Sequence, residues 1–214
     1  MPQRSDALIA ELVDGLEPVR PLHFAEGVAL ALGAAAVTAV AVVAAFGLRA
    51  EWLAGHLDPM QLVSTLLFLG LALAASVAVV VMSRPQVGSD HSGWRWAAAM
   101  AGLLPLAGVI VALARGASGL SPELMRHGAE CLAGGSAASL LVFALLTAWL
   151  RRGAPTAPER AGLVAGVAAG AFGIFAASLH CGDNDIVHIG LWHSAVVAVT
   201  GLAGRALVPR LIRW

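Results

Sequence analysis

Six stretches of about 20 consecutive, mostly apolar residues leave this chain few ways to fold. They run over 25–46, 60–82, 94–114, 132–150, 161–179 and 187–207. At a rise of about 1.5 Å per residue, each matches the ~30 Å hydrocarbon layer of a bilayer when helical. Inside that layer every backbone N–H and C=O must find its partner within the element, which leaves helices or closed barrels. The apolar/polar alternation of a barrel strand is absent. Charged residues make up 12% of the 214, against about 25% in soluble domains. The expected fold class is therefore all-α: a polytopic membrane protein whose six-transmembrane-helix bundle (25–214) follows a short N-terminal tail (1–24), with membrane lipid around it.

Orientation follows from the arginines, which account for all 13 basic residues. The N-terminal tail, the second and fourth loops and the C-terminal tail carry Arg4, Arg20, Arg84, Arg95, Arg151, Arg152, Arg160, Arg205, Arg210 and Arg213. The opposite side carries Arg49, Arg115 and Arg126. Basic loops stay inside, so both termini are expected in the cytoplasm, with the chain in a bacterial inner membrane. The tail holds Asp6, Glu11, Asp14 and Glu17 and so lacks the basic start of a signal peptide; the whole chain is expected to stay in the mature protein. Without a basic run interleaved with aromatics, direct nucleic-acid binding has no support.

The middles of the six spans hold no Asp, Glu, Lys or Arg. Transporters and pumps place such groups near the midplane, so solute transport is demoted, and a permease with a Cys/His site stays as the second reading. His193 is the titratable residue set inside a span, one to two turns from its extracytoplasmic end. Gly162, Gly166 and Gly170 form a doubled small-xxx-small face, which suits tight packing within one subunit; the oligomeric state stays open. Pro105 predicts a kink in the third span.

The two cysteines fall on the extracytoplasmic side. Ser121-Pro122 reads as an N-cap followed by proline at the first helical position. A helix starting there puts His127 and Cys131 on one face, with Glu130 adjacent. The fifth loop supplies His180, Cys181, Asp183 and His188. That compartment is oxidising, so a structural disulfide between the loops and a redox- or metal-responsive pair both fit. Thiolate and imidazole suit Cu(I) or Zn(II), bound transiently, with no obligatory cofactor. His127, His180, His188, Glu130 and Asp183 are the candidate ligands or second-layer partners. A thiol–quinone oxidoreductase would need a C-x-x-C and a second pair, which the two cysteines do not provide. A b-type haem would need histidines on facing helices, a requirement that His127, His188 and His193 barely meet. Catalysis ranks below sensing, and no enzyme activity is expected.

The tail reads S-D-A-L-I-A-E-L-V-D-G-L-E over 5–17. Leu8, Ile9, Leu12, Val13 and Leu16 recur at helical spacing, with Asp6, Glu11, Asp14 and Glu17 mostly opposite them. Pro18 and Pro21 end the helix. An acidic amphipathic helix suits a basic protein groove better than anionic lipid; a cap packed on the bundle's own cytoplasmic face fits equally well.

The tail segment L-I-A-E-L-V-D-G-L-E-P-V, six spans with little else, and two extracytoplasmic cysteines, the second in L-H-C-G ahead of L-W-H, together resemble the NrsF family of six-helix membrane anti-sigma factors. Those are negative regulators of extracytoplasmic-function sigma factors of the SigF type. Gly182 stands where members often carry proline. The resemblance implies that the tail, through Leu8, Ile9, Glu11, Leu12, Val13, Asp14, Leu16 and Glu17, holds a sigma factor inactive. It further implies that the chain releases that factor when Cys131 and Cys181 respond to metal or oxidant stress.

Overall fold

The computed structural model describes residues 2–16, 21–56, 58–85, 93–116 and 121–213, and every regular element among them is helical. The helices are α1 (Pro2–Asp14), α2 (Phe24–Phe46), α3 (Ala50–Leu53), α4 (Pro59–Met82), α5 (Gly93–Arg115), α6 (Pro122–Arg152), α7 (Pro158–Ser178) and α8 (Ser194–Leu211), with a π-helical segment, His188–His193, running into α8. Six of these segments, counting the π segment with α8, are long and apolar enough to cross a membrane. Alternating passes bring the starts of α4, α6 and the π segment to the same end of the bundle as the finishes of α2, α5 and α7. That end carries both cysteines.

Helix starts there are written in the sequence. Ser121 Oγ accepts from the Leu124 N–H at 3.2 Å, with Pro122 at the first helical position. Asp58 Oδ1 accepts from the N–H groups of Met60 (2.9 Å) and Gln61 (3.0 Å) ahead of α4. These side chains satisfy donors that the first turn leaves unpaired. α6 contains the whole of the expected fourth span and is longer than it. It begins at Pro122, where the Ser121-Pro122 pair put a helix start, so the helix runs about 15 Å ahead of the apolar stretch 132–150. α5 runs through Pro105 as one continuous helix.

α7 is the centre of the bundle and packs on α8, α6, α4 and α2. Ten of its fourteen buried residues are Ala or Gly, so backbones approach closely on several sides. A methyl group on Gly166 would run into the Thr200 carbonyl of α8, and one on Gly162 into the Gly204 carbonyl. The glycine face is thus used inside the chain. On another side, Gly173 leaves room for the α6 backbone at Gly135 and Ser139. Gln61 Nε2 donates to the Ser178 carbonyl at 2.7 Å, tying the start of α4 to the end of α7. α2 and α5 lie at the rim, with Val37, Val40, Leu103 and Leu113 turned outwards.

α1 ends at Asp14, one turn short of the expected finish. Leu8, Ile9, Leu12 and Val13 on α1 and Leu16 just after it are 56–73% exposed, so this apolar stripe is not packed as a cap on the bundle. Glu17 lies outside the described residues.

Candidate functional site

The 179–187 loop leaves α7 and turns back towards the bundle, and three arginines organise its surroundings. The Arg49 N–H donates to the Leu179 carbonyl (3.2 Å). The Arg49 guanidinium donates from Nη1 to Asn184 Oδ1 (2.9 Å) and from Nη2 to the Gly182 carbonyl (3.4 Å). Arg115 Nη1 sits 2.6 Å from Asp185 Oδ2, and Arg126 pairs with Glu130 on α6 at 2.8 Å. These are the three arginines that sequence analysis set apart from the other ten. Within the loop, Asp183 Oδ1 accepts from the Asp185 N–H and Asp185 Oδ1 from the Val187 N–H, each at 2.8 Å. Such side-chain-to-backbone turns aim the chain into the π segment. Burial opposes ionisation of Asp185, but Arg115 and the backbone donors outweigh it and hold the carboxyl below its ordinary pKa.

This framework places the Cys181 and Cys131 sulfurs 3.5 Å apart, both as free thiols. His188 Nε2 is also 3.5 Å from Cys181 Sγ. Asp183 Oδ2 stands 3.4 Å from His188 Nδ1 on the far side of the ring, without hydrogen-bond alignment. His193 completes the group: ligand atoms of Cys131, Cys181, His188 and His193 all lie within 4.8 Å of one another. The two imidazoles meet edge to face at a centroid distance of 5.1 Å. Phe68, Leu104, Ile174, Ile189 and Val196 form an apolar cluster beneath.

The π segment explains why His193 is present. Residues five apart on an α-helix point about 140° away from each other at 3.6 residues per turn. Bonds from i to i+5 widen the turn and return them to one face. Gly190 and Gly108 let this wider segment approach α5, since a methyl on Gly190 would meet the Leu104 carbonyl. Gly128 on α6 leaves space for the Trp192 ring. His193 is visible in the sequence as a residue inside a span, but nothing there joins it to the cysteines. The five-residue interval from His188 was visible; the local change of helix type was not.

The other sequence candidates lie around this core. A cleft of about 730 Å³ leads to Cys131, Cys181 and His188, with His127, Glu130, His180 and Asp183 along its walls. His180 is exposed and stacks near Phe46, at a centroid distance of 5.2 Å. Of the predicted group, Cys131, Cys181 and His188 are brought together, Asp183 backs His188, and His127, His180 and Glu130 line the way in.

The Cys181 thiol is pulled below its ordinary pKa. The largest cause is the hydrogen bond from the Cys131 thiol; burial opposes it, and His188 and His193 add to the lowering. Cys131 thus donates while Cys181 takes the negative charge. Such a thiol–thiolate pair can lose two electrons to an oxidant together with the one proton that Cys131 holds, its sulfurs closing from 3.5 Å to the ~2.05 Å of a disulfide. It can also hold a thiophilic ion.

A family profile described as NrsF, negative regulator of sigma F, matches residues 12–214. The chain is 33% identical to a protein named anti-sigma-F factor NrsF from Caulobacter vibrioides (strain NA1000 / CB15N), over 98% of this chain and 97% of that one. No solved structure matches.

Proposed function

The chain belongs to the NrsF family of negative regulators of sigma F, and on that premise we propose that it holds an extracytoplasmic-function sigma factor at the bacterial inner membrane. In this reading α1 and the following residues of the tail (1–24) are the cytoplasmic docking element, and the bundle (25–214) carries the input at its periplasmic end. Metal or oxidant stress acts on Cys131 and Cys181 and releases the sigma factor. The ten-to-three arginine asymmetry supports this orientation.

The observation that carries the proposal is the unpartnered stripe of Leu8, Ile9, Leu12 and Val13, exposed on a helix that also bears Asp6, Glu11 and Asp14, with exposed Leu16 just past its end. An apolar stripe flanked by acids fits a hydrophobic groove with a basic rim. Full-length protein in detergent should co-purify with the sigma factor, and Leu12→Asp should abolish the association while the bundle stays folded. Retention of the complex by Leu12→Asp and by a Leu8→Asp variant would remove the docking role. Cys131→Ser and Cys181→Ser should each lock the transcriptional output; an unchanged response to metal and to oxidant in both would reject the thiols as the input.

A further inference from the structure

A two-thiol sensor leaves two buried imidazoles without a task. His188 is 0% and His193 1% exposed. Neither ring nitrogen of His193 has a hydrogen-bond partner among the described residues, and His188 Nδ1 has none with proper alignment. Buried polar atoms left in this way are costly, which makes an unpaired ring aimed at a thiol pair a sign of a missing partner.

The spacing identifies that partner. A tetrahedral ion with metal–sulfur bonds of about 2.3 Å and metal–nitrogen bonds of about 2.0–2.1 Å sets its sulfurs about 3.8 Å apart and each sulfur about 3.5 Å from a nitrogen. The observed sulfur–sulfur and Cys181–His188 separations are both 3.5 Å. We propose that Cys131, Cys181, His188 and His193 form one four-coordinate site for a closed-shell, thiophilic cation, with Zn(II) as the best match. The inference rests on the reading of the cysteines as the input and specifies what they hold.

Charge selects the divalent ion. Two thiolates and two neutral imidazoles cancel the charge of Zn(II), and loading releases the proton that the sulfur pair still holds. The same set around Cu(I) retains one negative charge above an apolar floor, a costlier state to bury. Asp183, 3.4 Å from His188 Nδ1, is placed to orient the ring from behind, as carboxylates do for metal-bound histidines. The cleft lined by His127, Glu130, His180 and Asp183 gives the ion its path. His188 and His193 share a face only while the segment keeps its π geometry, so a bound ion would lock that geometry.

The test uses the full chain, reduced and in detergent. Titration with Zn(II) against a chromophoric chelator should give one ion per chain, and His193→Ala and His188→Ala should each weaken binding about tenfold or more. Co(II) in the wild-type protein should show the intense visible bands of a tetrahedral site and a thiolate charge-transfer band. This readout needs no variant and so is immune to misfolding. Absence of binding, an octahedral Co(II) spectrum, or Zn(II) affinities unchanged in both histidine variants would each overturn the four-ligand site. So would Cu(I) loading that outcompetes Zn(II) and ignores both histidines, the behaviour of a two-thiolate site. If no ion binds but Cys131→Ser still locks the response, the site falls and the thiol input stands. If one Zn(II) binds tetrahedrally but the thiol variants respond normally, the site stands and the input reading falls.

Discussion

Arg49 sets the geometry of the cysteine end more than any other single side chain outside the thiol and imidazole cluster. It is 5% exposed, and its two Nη atoms reach Asn184 and the Gly182 carbonyl on the loop that bears Cys181. Its ion pair with Glu51, at 3.4 Å, involves a largely exposed carboxylate and adds little. The forked guanidinium holds its donors apart and in plane, so it spans both acceptors in a geometry that the compact ammonium of lysine does not reproduce. Arg49→Ala should lower stability by about 1.5–3 kcal/mol, the range for hydrogen bonds to a charged group. It should also raise the alkylation rate of Cys181 several-fold, with Arg49→Lys closer to alanine than to wild type. An Arg49→Ala protein with wild-type thermal midpoint and Cys181 reactivity would show that the loop holds itself. The lowered pKa of Cys181 makes a second prediction. Between its lowered value and the ordinary thiol pKa of about 8.5, Cys181 is already thiolate while an unassisted thiol is protonated. A small methanethiosulfonate reagent at about pH 6 should therefore label Cys181 before Cys131, as read by peptide mass. Labelling of Cys131 first would reverse the assignment of donor and acceptor. Because the charged form already prevails at that pH, Cys181 labelling should change little as pH rises towards 8.

At the scale of elements, the six spans were legible because bilayer thickness dictates a length and apolar character that few other structures share. Ser121-Pro122 announced the start of α6 for an equally local reason. The π segment was not legible: His188–His193 has no Gly or Pro signal for its register beyond Gly190, and the register depends on contacts with α5 and α6 from distant sequence. Arg49 was hidden similarly, since its partners lie more than 130 residues away. The cysteine pair fell between these cases, because span alternation put both at one end but could not set their 3.5 Å separation. The glycines of α7 were recognised as an interface, and the structure identifies α8 as the neighbour. Gly166→Ala should cost about 1–3 kcal/mol, since its methyl meets the backbone of Thr200 and Gly201 rather than a flexible tip. Gly102→Ala in α5, with nothing within 4 Å, should be neutral or slightly stabilising. Thermal unfolding of both proteins in one detergent checks the pair, and equal midpoints would show that α7 and α8 have slack at their crossing.

For the whole molecule, the input and output proposed above lie at opposite ends of helices about 30 Å long, the span of the 21 residues of α7. Three helices leave the site together. α6 carries Cys131, α7 ends just before Cys181, and α8 continues from His193. They are joined along their length by small-residue contacts: Gly173 against Gly135 and Ser139, and Gly166 against Thr200. Such backbone-to-backbone packing resists gradual bending, so a change at the site is expected to move these helices between discrete arrangements. The tail must then prefer one arrangement when it holds a sigma factor. Linkage makes this quantitative: if a site ligand weakens sigma-factor binding by some factor, the sigma factor must weaken binding of that ligand by the same factor. Couplings of about 5–150-fold are typical, whereas a switch from 1:99 to 99:1 needs about 10⁴-fold. A single reversible ligand is therefore expected to give a graded release, while a disulfide, which closes the site covalently, is not bound by that ceiling. The check is to titrate full-length protein with Zn(II) with and without saturating sigma factor, and to titrate the sigma factor with and without saturating Zn(II). The same fold-weakening is expected in the two arms. A clear shift in one arm with none in the other would mean that the two ligands do not meet on a common folded state, and the bundle would no longer qualify as the connection between them.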